Sequence, residues 1–178
     1  IPTTKAYPPT VFSELPRLLE RTGPGIHGAG DITAIYTVLV DGDDHNEPIS
    51  DTVRGITDGH IVLDRKIAEK GRYPAINILQ SVSRMLPDCH TETEYKIMNA
   101  AKRLMSAYED AEDLIRVGAY KQGSDAITDA SIVFMDMATD FLSQRKNESL
   151  EASETFMEIH NMLANCQIQI PIPAEEQM

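Results

Sequence analysis

The spacing of apolar residues changes at Pro87, and no other feature constrains the fold as strongly. Before Pro87 the apolar residues come in short runs broken by Gly and Pro. After it they recur at the period of a helix with one buried face. Ile97, Ala101, Leu104, Met105, Tyr108 and Ile115 mark one face of a long helix ending near Gly118. Ile127, Ala130, Phe134, Met137 and Phe141 mark a second helix, and Ala152, Phe156, Ile159 and Leu163 a third. Each stripe reads as core. Three such helices joined by short turns make a small antiparallel bundle. Gln167-Ile168-Gln169-Ile170-Pro171-Ile172-Pro173 cannot be helical throughout and then turns acidic, so it reads as a frayed tail.

The other half follows different rules. Residues 1–10 are Pro-rich and read as an extended loop. Val11, Phe12, Leu15, Leu18 and Leu19 predict a helix to about Arg21, with Pro16 inside it. Ile32 to Val40 is nearly all β-branched or apolar, without alternation. That pattern predicts a strand buried on both faces, as in a parallel sheet. Pro48 can start a short helix through Val53 and Ile56, stopped by Gly59. His60 to Leu63 reads as a strand, and Asp64 can cap the helix Arg65 to Lys70. This β-α-β-α order points to half of a parallel sheet with covering helices. Two or three strands make a poor sheet alone, so further strands are expected before Ile1, and the chain reads as a piece of something longer. The expected class is α/β followed by all-α. The expected divisions are 1–90, 91–165 and a flexible tail at 166–178.

Composition excludes several functions. The 42% apolar and 25% charged fractions suit a soluble protein. A net charge of −12 disfavours nucleic acid as a partner, because phosphate backbones need a basic surface. Cys89 and Cys166 stand far apart, with no zinc spacing and no disulfide framework, which suits a reducing, cytoplasmic compartment. No apolar run approaches the roughly 20 residues of a membrane span, so any membrane association is expected to be peripheral.

Gly23-Pro24-Gly25-Ile26-His27-Gly28, in the stretch running on to Gly30, matches G-x-G-x-x-G, but it follows a helix and opens a strand. A dinucleotide fingerprint does the reverse, so this is a loop. Asp41-Gly42-Asp43-Asp44-His45-Asn46-Glu47 is acidic and follows a predicted strand, where ligands gather in open sheets. It is either an ordinary loop or the edge of a nucleotide site. It is no calcium loop: Asn46 falls where Gly is required and Thr52 where Glu is required. The five histidines show no paired ligand spacing, and Ser81 and Ser83 lack a nearby base. That leaves Tyr73, presented before a proline, and Arg84 after a Ser-rich segment. On the residues alone, Tyr73 is either packed or free to stack on a base. Arg84 either pairs with a surface acid or offers its planar fork to phosphate.

Longer motifs narrow the choice. Gly55-Ile56-Thr57-Asp58-Gly59-His60-Ile61-Val62-Leu63-Asp64-Arg65, Tyr73-Pro74-Ala75-Ile76-Asn77 and Ser81-Val82-Ser83-Arg84 resemble the hexameric rotary-type ATPases. Ala6 to Arg21 and Thr33 to Val40 resemble most the flagellum-specific, type III secretion branch. The similarity runs over roughly residues 2–145.

The resemblance implies the C-terminal half of a RecA-like parallel-sheet nucleotide-binding domain in residues 1–90, then a C-terminal helical domain. It implies ATP and Mg²⁺ as ligands, with the phosphate loop, water-polarising glutamate and magnesium-site aspartate upstream of this chain, which alone should be inactive. Tyr73 matches the adenine-stacking tyrosine, and Arg84 the arginine finger supplied to a neighbouring subunit. The implied partners are identical subunits in a ring, a stalk-like export protein near Gly118–Asp125, and export chaperones and substrates. The helical part could instead be a non-catalytic docking module for the stalk and chaperones. The family's second adenine-wall aromatic follows a Phe-Leu-Ser-Gln-like segment; here Arg145-Lys146-Asn147 follows Gln144. Asp31 and Asp64 stand where the family usually has Ser.

Overall fold

The computed structural model describes residues 8–40 and 47–173. The chain packs as two units, Ile1–His60 and Ile61–Met178.

In the first unit, α1 (Pro9–Leu19) begins two residues before the predicted apolar stripe, because Pro9 sits at a helix start where its missing N–H costs nothing. Pro16 does not end the helix; its carbonyl still accepts the Glu20 N–H at 2.8 Å. Next, β1 (Gly23–Pro24) and β2 (Asp31–Ile32) pair antiparallel. Then α2 (Pro48–Ile56), again with Pro at its start, packs against α1 and buries Val53.

One expectation fails here. Of the strand predicted over Ile32 to Val40 only Ile32, the second residue of β2, is in a strand. A strand needs a ladder partner, and β1 is too short to supply one past Ile32. Ile35 and Leu39 are accordingly 94% and 89% exposed, so the doubly buried strand its composition suggests is not formed among the described residues. The acidic loop after it, Asp41 to Asn46, lies outside those residues.

The second unit begins within β3 (Gly59–Leu63). There follow α3 (Arg65–Glu69), β4 (Ile76–Ser83), α4 (Glu92–Arg116), α5 (Ala126–Phe141) and α6 (Ala152–Asn165). As predicted, Asp64 caps α3, taking the Lys66 N–H at 2.9 Å. β3 and β4 form a two-stranded sheet. The Asp64 N–H at the end of β3 bonds the Ala75 carbonyl just before β4 (2.9 Å) and the Val62 N–H bonds the Ser81 hydroxyl (3.0 Å), so partners descend β4 as the chain ascends β3, an antiparallel sense. The parallel ladder expected from element order is therefore not among these strands.

The three helices form the predicted bundle. Ile97, Ala101 and Leu104 of α4 meet Phe134 and Ala138 of α5 and Met162 and Leu163 of α6 in one core. On α5 the buried line runs through Thr128, Ser131, Phe134 and Ala138, while Ile127 is exposed. Met137 and Phe141, on the predicted stripe, are partly buried and pack beside this line. The segment after α6 is not free over its described length. Cys166 is buried, Ile168 and Ile170 pack on the core, and His160 Nε2 lies 2.8 Å from the Ile170 carbonyl oxygen. No helix among the described residues is long and apolar enough to cross a membrane.

Candidate functional site at the two ends of one strand

Local chemistry brings the chain from α3 to Tyr73. Gly71 adopts φ +82°, the left-handed conformation that ends a helix and that Gly takes without a Cβ penalty. The Gly71 and Arg72 N–H groups bond back to the Ala68 and Ile67 carbonyls, closing α3. Arg72 Nη2 donates to the Ile76 carbonyl at 2.9 Å, bracing the turn, and burial lowers the pKa of its guanidinium. The Tyr73–Pro74 peptide bond is cis. Tyr73 is 58% exposed, so it is not packed among the described residues.

Two bonds from the helical bundle hold this loop. Lys70 Nζ meets Glu112 Oε1 of α4 at 2.8 Å. The Tyr73 carbonyl accepts the Gln144 N–H, just beyond α5, also at 2.8 Å. Arg145 and Lys146 follow directly, and the Arg145 N–H donates to Glu148 Oε2 at 2.8 Å within a turn.

Arg84 follows the far end of β4 and is exposed. Tyr73 and Arg84 therefore leave opposite ends of one strand. That strand is not straight. The Ser81 hydroxyl donates to the Asn77 carbonyl at 2.6 Å, and the Gln80 N–H donates to Asn77 Oδ1 at 3.0 Å. Residues four apart in an extended strand are about 13 Å apart, so these bonds require a bulge between Asn77 and Ser81. Ser81 is thereby occupied structurally, since its hydroxyl also accepts the Val62 N–H at 3.0 Å. Asn77 Nδ2 donates to Asp64 Oδ2 at 3.2 Å, so Asp64 both caps α3 and ties β3 to β4.

Other sequence candidates resolve differently. The glycine-rich segment closes on itself: the Gly25 N–H bonds the Gly30 carbonyl (3.0 Å) and lies 3.3 Å from Asp31 Oδ1. A Cβ on Gly25 would run into that carbonyl. The segment is a tight hairpin, and no helix opens from it. No group of three or more His, Cys, Asp or Glu among the described residues is placed to hold a metal ion. The contacts missing from the sequence reading are Glu112 and the Gln144 backbone. A long-range bond from a main-chain N–H leaves no trace in residue type.

The turn between α4 and α5 is rigidly built. Tyr120 donates its hydroxyl to Asp129 Oδ1 at 2.9 Å, and Asp129 Oδ2 takes the Gly123 N–H at 2.8 Å. Asp125 caps α5 through the Thr128 N–H and hydroxyl, at 2.8 and 2.6 Å. Leu114 and Val117, flanking this turn, are exposed.

The described residues thus form an α/β segment with an exposed tyrosine loop and an arginine just past its last strand, followed by a three-helix bundle. Residues 1–83 match the ATP synthase alpha/beta family nucleotide-binding domain, and residues 90–161 match the C-terminal domain of the type III secretion ATPase EscN. The chain is 54% identical to the flagellum-specific ATP synthase of Caulobacter vibrioides, covering 87% of this chain and 36% of that protein. It is 51% identical to that of Bacillus subtilis, covering 92% and 37%. Among solved structures, the assembled ATPase EscN of enteropathogenic E. coli superposes with a TM-score of 0.83 at 40% identity, over 88% of this chain and 38% of that one. EscN in complex with its central stalk EscO superposes at 0.79 and 38%, over 90% and 38%. The chain thus belongs to the flagellum-specific and type III secretion ATPases of the ATP synthase α/β family, and it spans little more than a third of the length of these relatives.

Proposed function

We propose that this chain is part of an ATP-hydrolysing ring motor that energises flagellar or type III protein export, in the cytoplasm and at most peripherally on the membrane. Its contribution is half of each of two nucleotide sites. Tyr73 stacks on the adenine of its own subunit's nucleotide. Arg84 reaches the γ-phosphate held by the next identical subunit.

The observation that carries this reading is that two exposed side chains, Tyr73 and Arg84, leave opposite ends of β4. A base-stacking ring and a phosphate-binding arginine that served one nucleotide would be expected on the same end of the strand. Opposite ends suit two sites around a ring. The chemistry follows from the groups. The exposed Tyr73 ring offers a flat apolar face to a base, and base–aromatic stacking contributes roughly 1–3 kcal/mol. Arg84 carries a permanent charge in a planar fork, which neutralises charge building on the transferring phosphoryl group. Magnesium, held by residues outside those described, would neutralise the same phosphates.

The rigid turn at Gly118–Asp125 supports a docking role in the same protein. A stalk-like partner would press on it, flanked by the exposed Leu114 and Val117, while export chaperones and substrates engage the helical part.

The test is kinetic, in the full-length protein. Arg84→Ala lowers kcat by about 10³–10⁵ with nucleotide affinity retained. Tyr73→Ala weakens affinity more than it slows chemistry. Unchanged turnover in the first variant would remove the finger assignment, and unchanged binding in the second would remove stacking.

A further inference from the structure

We infer that Glu112 of α4 is a positioning residue for the nucleotide loop, setting the affinity of the site through its ion pair with Lys70. The inference rests on the reading that Tyr73 stacks on the base.

The loop from Lys70 to Tyr73 has an anchor at each end, and both anchors come from the bundle. At one end Lys70 Nζ bonds Glu112 Oε1 at 2.8 Å. At the other the Tyr73 carbonyl takes the Gln144 N–H. Between them Gly71 holds a left-handed conformation beside the bonds that close α3. The Tyr73 anchor fixes one backbone atom and leaves the ring free to swing with the peptide planes before it. Within the loop the Arg72 bond to the Ile76 carbonyl limits that swing, and the Lys70 anchor limits it further from the bundle side. Lys70 donates to the Glu112 carboxylate and holds its pKa below the ordinary value, so the carboxylate is ionised at neutral pH.

The pair is exposed on both sides, 69% for the Lys70 side chain and 39% for Glu112. Such pairs add little to global stability. Their effect is local: the free energy that fixes a loop is recovered as affinity when a ligand needs that loop in place.

The experiment is a charge-swap cycle in the full-length protein, read as the dissociation constant for ADP. Glu112→Lys weakens binding by about two- to fivefold, the range of an exposed pair. This sign is decisive, because an added positive charge near an anionic ligand would by itself tighten binding. Lys70→Glu weakens binding as well, and the double swap restores it to near the original value. All differences shrink in high salt. Tighter binding in Glu112→Lys, or a double swap that adds the two defects, overturns the inference. Tyr73→Ala separates the levels. If it weakens ADP binding while Glu112→Lys does not, only the positioning role is lost. If Tyr73→Ala leaves binding unchanged, the base site lies elsewhere and both readings fall.

Discussion

The Tyr120 hydroxyl and the Asp129 carboxylate meet at 2.9 Å across the turn that joins α4 to α5. The same carboxylate takes the Gly123 N–H, and the Tyr120 hydroxyl also contacts the Asp125 carbonyl at 3.0 Å. One acid on the first turn of α5 thus organises the loop before it. Asp129→Ala removes two hydrogen bonds to a charged acceptor. The expected cost is about 1–2 kcal/mol, at the low end for charged hydrogen bonds because the site is partly solvated. The more specific readout is hydrogen exchange at Gly123, which should accelerate well beyond the change at the centre of α4. Tyr120→Phe should give a smaller effect in the same place. Unchanged exchange at Gly123 in both would show that the turn is held by its backbone alone.

Asp125 predicts a pH dependence at the same end of α5. The Thr128 hydroxyl, and after it the Thr128 N–H, hold its carboxyl below the ordinary value. A carboxylate with a depressed folded pKa stabilises the fold above its unfolded pKa. That contribution is lost as pH falls through the lower folded value. Fraying at the start of α5 should therefore set in only below about pH 4, the ordinary carboxylate range. Asp125→Asn keeps a capping oxygen and should flatten this acid limb. Asp125→Ala should fray the helix start at neutral pH too. An acid limb that persists in Asp125→Asn would place the titration on another group.

The bundle is legible in the sequence because helical periodicity is local: Ile97, Leu104, Phe134 and Leu163 fall on the predicted stripes and are buried. The contribution of small residues is not. Ser131 is fully buried, satisfied by donating its hydroxyl to the Thr128 carbonyl at 2.7 Å, yet a polar residue carries no apolar signal. The segment after α6 reads as frayed for a related reason: Ile168 and Ile170 pack through long-range contacts that no local pattern announces. At Ile32 to Val40 the composition speaks for a strand inside a larger sheet. A sheet is a property of neighbouring segments, and β1 pairs with this run only at Ile32. Tyr73 and Arg84 stand out as residue types in a suggestive context and by family likeness. Their placement at the two ends of β4 is not legible, since Ile76 to Ser83 does not alternate cleanly and bulges where Ser81 bonds back to Asn77.

Leu163 gives the sharpest stability contrast. It is fully buried where α4, α5 and α6 meet, whereas Leu63 on β3 is 63% exposed. Leu163→Ala deletes a core side chain and leaves a cavity, at an expected cost of about 2–5 kcal/mol. Leu63→Ala should stay within about 0.5 kcal/mol, as surface changes do. Chemical denaturation of the two variants under identical conditions makes the comparison. Equal destabilisation would mean that Leu63 is covered in the protein as it folds, and a negligible effect at Leu163 would contradict the bundle core.

The two cysteines differ in reactivity for a physical reason. Cys89 is exposed after β4. Cys166 is buried at the end of α6, and that burial raises its thiol pKa. Attack on an alkylating reagent needs a thiolate that the reagent can reach, and Cys166 is disadvantaged on both counts. With iodoacetamide near neutral pH, Cys89 should be modified promptly, while Cys166 reacts only as the end of α6 opens. Destabilising the core with Leu163→Ala should speed modification at Cys166 and leave Cys89 unaffected, because the variant changes opening and not thiol chemistry. Peptide mass spectrometry over a time course reads both sites in one sample. Equal rates in the unaltered protein would show that the segment carrying Cys166, Ile168 and Ile170 leaves the bundle on the timescale of the reaction.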